Sequence, residues 1–352
     1  MENTRRRFIK LGATVAAGAA FASNAFAAQS AREANPVPAE ISPIKGLRLV
    51  TFSPDGTTPS RVGAVLPDGQ VVDLKTEAQQ RNLALSFDPS AMVSLISAGE
   101  KGLTEVSDLV LKAAKADARV QDVRLFSPIP VPRSNIYCVG WNYLAHFEEG
   151  KNARADKGVS KLPEHPVFFT KAPHAMNGPF DSIPYDPAVS TLIDWEGEMA
   201  VIIGKKGRNI PEKDAMNYVF GFSVINDTTA RDVQQKRHGG QWFKGKSLDG
   251  HGPMGPWIVA ASDIDYDNLR LVTRVNGTVK QDASTAQMYF KVPRIIAELS
   301  LGLTLEPGDV IATGTPPGVG FARKPPEFLK PGDIMETEIS GIGLIRNRIL
   351  AA

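Results

Sequence analysis

Residues 194–204 read DWEGEMAVIIG, an apolar run headed by two glutamates two positions apart. Bounded by glycine and rich in β-branched residues, the run is read as a buried strand over 195–203. Successive side chains alternate across a strand, so Glu196 and Glu198 share one face while Trp195, Gly197 and Met199 share the other. Their carboxylates then lie about 7 Å apart. Leaving ionised carboxylates buried and unpaired costs several kcal/mol each. Either both acids meet water on an edge strand, or a divalent cation bridges them. Hard oxygen donors favour Mg²⁺, Mn²⁺ or Ca²⁺ over zinc.

Other segments bear on that choice. In VINDTTARDVQ (224–234) an apolar strand ends in Asp227, placed to supply a third carboxylate; Asp232 is the weaker candidate, free to pair with Arg231 or cap the turn. In GWNYLAHFEE (140–149), helical spacing puts His146 and Glu149 on one face, where a carboxylate can orient an imidazole as a general base. A surface histidine on a polar loop is the alternative. The stretch EEGKNARADKGVSKLPE (148–164) is polar and poor in apolar anchors, the composition of a lid. GQWFKGKS (240–247) matches a phosphate-binding loop, but no buried strand precedes it and a Gly- and Pro-rich stretch follows, so the match is accidental. Lys246 remains a candidate to hold a substrate oxygen or stabilise an enolate. TGTPPGVG (313–320) offers backbone N–H groups that can hold a carboxylate. The single cysteine, Cys138, lies in an apolar run and is read as a buried, inert thiol.

Around these segments the 352-residue chain has an ordinary globular composition, with 42% hydrophobic and 22% charged residues. Residues 1–27 carry Arg5-Arg6-Arg7-Phe8, an Ala- and Gly-rich segment and a terminal Ala25-Phe26-Ala27, the layout of a twin-arginine export signal. The expected location is therefore periplasmic, without a stable membrane anchor. Without the signal's four basic residues and one acid, the formal charge of +2 becomes −1, which supplies no footprint for nucleic acid. Residues 28–45 read as a linker and 46–128 as a small α+β module. In that module, strands are expected at 48–52, 61–66 and 70–74, and helices at 88–98 and 104–115. The domain at 129–352 is expected to be mainly β. Its strands are placed at 135–139, 167–170, 195–203, 219–226, 257–260, 271–275, 310–313, 334–338 and 343–348, with one helix at 292–300.

In this order VGWNYLAH, DWEGEMAVIIG, NDTTARDVQ, GKSLDGHGPMGP and TGTPPGVG resemble the fumarylacetoacetate hydrolase family over roughly 131–350. The resemblance implies an α+β, mainly β fold: a mixed β-roll or β-sandwich catalytic domain with a small N-terminal module, working as a homodimer. It implies Glu196, Glu198 and Asp227 as ligands of Mg²⁺ or Mn²⁺, and His146 with Glu149 as a catalytic pair on the lid. It further implies Lys246 as an active-site lysine, and Gln234 and Thr315 as substrate contacts. The chemistry implied is action on a small 2-oxo acid, an acylpyruvate or 2-oxo dicarboxylate, through a metal-stabilised enolate. The His–Glu pair tilts the expectation toward C–C bond hydrolysis or decarboxylation. Diene-dioate isomerisation and ureidoglycolate lysis are alternatives within the family, and an exported protein that captures 2-oxo acids without turnover is the alternative of another class.

Overall fold

The structure is a computed structural model that describes residues 46–54, 56, 61–113, 119–120, 123–151 and 161–352. The expected signal and linker, and residues 152–160 of the expected lid, lie outside the described residues.

Among the described residues the chain builds a 12-stranded sheet and a five-stranded sheet, joined by short helices and 3-10 turns. The centre of the large sheet runs Arg48–Ser53, Gly252–Ala260, Val219–Asn226, Gly197–Ile203, Val310–Ala312, Ile136–Gly140, Val167–Lys171. Neighbours along this run are antiparallel, except that Val310–Ala312 runs parallel to Ile136–Gly140. The sheet is continuous from the strands of residues 46–128 into those of the later chain, because Arg48 and Leu49 pair with Val259 and Ile258. The five-stranded sheet runs Thr278–Ser284, Arg270–Val275, Ile334–Ile339, Gly343–Ala351, Ile183–Tyr185. The expected fold class, α+β and mainly β with mixed sheets, is the one observed.

Burial explains why the central strands read as unbroken apolar runs: both faces of the large sheet are covered. Met199, Val201, Ile203, Phe222, Val224 and Trp257 pack on one face with Leu271, Ile339 and Ile345 of the second sheet. Ala200, Ile202, Ile225 and Ile258 pack on the other with Leu95, Ile96, Val106 and Leu109, all from the helix Met92–Lys112. Cys138 is buried on this helix-side face, and burial first of all raises its thiol well above the usual range. Gly197 is required where the two sheets meet, since a Cβ there would lie 2.3 Å from Thr273 Oγ1. The acid–glycine–acid pattern therefore alternates a functional face with a face that admits no side chain.

Several expected boundaries shift for identifiable reasons. The strand expected from Trp195 begins at Gly197, after a separate two-residue strand Ile193–Asp194. The break falls where side chains replace the ladder: Trp195 N–H donates to its neighbour Asp194 and Glu196 N–H to Asn226 Oδ1. The strand expected at 257–260 extends back to Gly252 through two prolines. The helices expected at 88–98 and 104–115 form one element, Met92–Lys112, interrupted at Gly99 with φ 57°. Asp88 holds a turn through Ser90 rather than capping that helix. A helix at Leu74–Gln80, capped by Asp73, was not expected. The helix Val292–Ser300 matches its expected bounds.

Trp257, 1% exposed, ties the sheets together, its indole donating to the carbonyl of Ile342 at 2.5 Å. Trp257→Ala is expected to lower unfolding stability by about 3–5 kcal/mol, read as a fall in denaturant midpoint at fixed m-value.

Candidate active site

Two antiparallel neighbours bring the acids together. Gly197 pairs with Asn226, so Glu196 and Glu198 flank the strand end from which Asp227 emerges. One carboxylate oxygen from each of the three lies within 4.8 Å of the others, and all three side chains are buried. Asn226 fixes this junction, accepting the N–H of Glu196 and donating to Thr337 Oγ1 on the second sheet.

Buried carboxylates require partners, and two of the three are saturated. Lys246 Nζ donates to Glu196 Oε2 at 2.5 Å and to Asp227 Oδ2 at 2.6 Å. Arg231 Nη2 lies 2.6 Å from Glu196 Oε1, and Lys171 Nζ donates to Asp227 Oδ1 at 2.8 Å. Burial opposes ionisation of Glu196, but Lys246, Arg231 and His146 outweigh it and bring its pKa down to about 2. Glu198 is different: it accepts the backbone N–H of Gly314 at 2.7 Å. Burial, and then the charges of Asp227 and Glu196, push its carboxyl well above the usual carboxylate range. The cluster is thus short of positive charge at Glu198. Three clustered oxygen donors with that shortfall fit a hard divalent cation.

The loop after Val310–Ala312 holds the protein's own acids. Gly314 N–H donates to Glu198 and Gly318 N–H to Glu149 Oε2 at 2.8 Å. Gly320 and Phe321 N–H groups donate to Asp194 at 2.6 and 3.0 Å. Gly314 and Gly318 reach these positions at φ +99° and +104°, where only glycine is unstrained. Asp194 in turn accepts Arg231 Nε at 2.7 Å, so the loop also anchors the guanidinium beside Glu196.

His146 and Glu149 lie on the short helix Leu144–Glu149, with Nδ1 2.7 Å from Glu149 Oε1. His146 shares one pocket with Glu196, Glu198, Arg231, Gln234, Lys246 and Thr315. Trp141, Phe169, Trp242 and Phe321 add an aromatic part to the wall. Within it Trp242 meets Trp141 and Phe169 edge-on, with centroids 5.2 and 5.1 Å apart. The structure therefore brings the sequence-derived candidates Glu196, Glu198, His146, Lys246, Gln234 and Thr315 to one pocket lining, with Asp227 bonded to Lys246 and Glu149 to His146. Gln234 accepts from Arg231 Nη1 at 3.2 Å. The Thr315 hydroxyl donates to the Gly197 carbonyl and accepts from Gln281, so its proton is used within the fold. Asp232 stands apart, bound to Ser190 and Arg237 rather than Arg231. The segment 240–247 follows the 3-10 turn His238–Gly240 and contains a four-residue helix, Phe243–Lys246, that delivers Lys246 to the acids and has no phosphate-loop architecture.

Sequence reasoning missed Lys171, Asp194 and the pairing of Arg231. The available signal was a lone charge closing or opening an apolar strand, as in VFFTK (167–171) and IDW (193–195); such a charge needs a buried partner.

Known proteins match this arrangement. Residues 135–350 fit the family model described as fumarylacetoacetate (FAA) hydrolase C-terminal. The chain belongs to the fumarylacetoacetate hydrolase family, a family of enzymes. It is 41% identical over 296 residues to the oxaloacetate tautomerase YisK of Bacillus subtilis (strain 168), covering 82% of this chain and 95% of that protein. A solved fumarylacetoacetate hydrolase from Exiguobacterium antarcticum superposes with a TM-score of 0.72 at 39% identity, over 87% of this chain and all of that one (100%). The maleylpyruvate hydrolase of Sphingobium sp. SYK-6, solved with manganese(II) and pyruvate, superposes with a TM-score of 0.67 at 28% identity, over 87% and 99% of the two chains.

Breaking the Asp194–Arg231 pair tests the loop's anchoring role. Asp194→Asn is expected to cost about 3–5 kcal/mol of stability, measured by equilibrium unfolding.

Proposed function

We propose that the protein interconverts the enol and keto forms of a small 2-oxo dicarboxylate such as oxaloacetate, with a divalent ion, Mg²⁺ or Mn²⁺, held by Glu196, Glu198 and Asp227. The observation that carries this reading is the buried carboxylate cluster sharing a pocket with the His146–Glu149 pair. The name of the Bacillus relative supports the substrate, and the manganese and pyruvate bound by the Sphingobium enzyme support the ion and the 2-oxo acid class.

When bound, the ion supplies Lewis acidity that polarises the ketone and acidifies the neighbouring C–H. The chain's own residues do the rest. With Nδ1 held by Glu149, His146 has Nε2 left to carry a proton to or from the carbon beside the ketone. As that proton leaves, its bonding pair becomes the C=C of the enol and the ketone oxygen gains a proton; the reverse transfer restores the ketone. Lys246 and Arg231 hold Glu196 in place, and aromatic side chains line the pocket beside it.

C–C bond cleavage of an acylpyruvate is the second reading, and the same pair favours it. His146, oriented by Glu149, can take a proton from water as that water adds to the distal carbonyl, the bond then breaking to release pyruvate as its enol. The twin-arginine-like segment supports export to the periplasm, and cell fractionation of wild type against a paired-arginine variant tests it. The homodimer belongs to the same reading and is tested by light scattering.

Loss of the enol's ultraviolet absorbance from fresh oxaloacetate should be accelerated by the metal-loaded protein and not after chelation. Pyruvate release from acylpyruvates reports the second reading. His146→Ala is expected to keep its metal while turnover falls about 10²–10⁴-fold; unchanged turnover would remove His146 from the mechanism. Tight oxalate binding with no turnover of any 2-oxo acid would make the protein a binder instead.

A further inference from the structure

Lys171 ends the strand Val167–Lys171 and is 0% exposed. Its ammonium donates to Asp227 Oδ1 at 2.8 Å and to the Thr228 carbonyl at 3.1 Å. The hydroxyl of Thr228 donates to Asn226 Oδ1, the same atom that accepts the N–H of Glu196. Lys171 is thus locked into the backbone junction that sets the three acids in place. Lys246, shared with Glu196, pairs with the other oxygen of Asp227 at 2.6 Å. Lys246 lines the pocket beside Glu196, whereas Lys171 is absent from the described pocket lining and reaches Asp227 from elsewhere. One carboxylate therefore carries two buried ammonium groups, while Glu198 carries none among the described contacts.

We propose that Lys171 is a positioning residue that sets metal affinity. It aims Asp227 at the ion and, as a fixed positive charge behind that ligand, repels the ion and holds its affinity down so that the ion exchanges. This rests on the reading that Glu196, Glu198 and Asp227 bind a divalent cation. An ammonium paired to a carboxylate would lie close to an ion held by that carboxylate, and like charges that close would repel strongly even at an effective dielectric of about 20. Substituting a neutral side chain of similar length removes the repulsion. It also removes half of Asp227's compensation, so the metal-free protein loses stability and recovers it on binding the ion. A lysine that served only as a brace predicts the opposite: with Asp227 loosened, the ion binds more weakly or as before.

The experiment is calorimetric titration of chelator-stripped full-length protein with MnCl₂. Lys171→Met is expected to bind Mn²⁺ at least about tenfold more tightly than wild type, and Lys171→Arg, which keeps the charge, to stay near wild type. The thermal shift on adding Mn²⁺ should be larger in Lys171→Met than in wild type. As a control for folding, the charge-neutral pair Lys171→Met/Asp227→Asn is compared with Asp227→Asn alone, and the pair should bind Mn²⁺ more tightly. Unchanged or weaker binding on removing Lys171 in either background overturns the proposal while leaving the metal site intact. Wild-type protein that takes up no Mn²⁺ overturns the metal reading and this proposal together.

Discussion

Three carboxylates cannot share one dry corner of a protein without imported positive charge. That constraint organises the molecule around Glu196, Glu198 and Asp227. Arg231 comes from the helix following the Asp227 turn, Lys246 from a four-residue helix and Lys171 from a distant strand, and each must arrive within hydrogen-bonding reach. Arg231 then needs Asp194, and Asp194 needs the N–H groups of Gly320 and Phe321. The second sheet is drawn in through Thr337, which steadies Asn226, and through the close approach at Gly197. A large part of the fold can be read as the electrostatic and steric support for one acid cluster.

The legible part of this in the sequence was what local pattern controls. The alternation in DWEGEMAVIIG placed Glu196 and Glu198 on one face, and the apolar period of VPRIIAELS gave a helix with its bounds. The spacing in LAHFEE gave the His146–Glu149 contact, because three residues is one helical turn. Hidden were the relations set by tertiary contact. Nothing in VFFTK says that its lysine meets Asp227, 56 residues onward, and nothing in Arg231-Asp232 says that the arginine ignores its neighbour for Asp194. The strand break at Trp195 was equally invisible, since it depends on side chains replacing ladder bonds from elsewhere in the chain. The joining of the module at 46–128 to the large sheet rests on the pairing of Arg48 with Val259, a contact no local signal encodes.

The His146–Glu149 pair does not by itself separate the reactions open to this family. An oriented imidazole moves a proton whether the proton comes from carbon or from water. The two proposed readings differ in whether a water must reach His146, and Trp141, Phe169 and Trp242 line the same pocket.

The loop from Thr313 to Phe321 holds acids of the site through its backbone. Four of its N–H groups hold Glu198, Glu149 and Asp194, which belong to the candidate ion site, the proton-transfer pair and the guanidinium anchor. These acids sit on three different elements, yet they share one short piece of main chain as a common ruler. Displacing that segment by a fraction of an ångström would move all three in step, so the loop is a mechanical link among these acids.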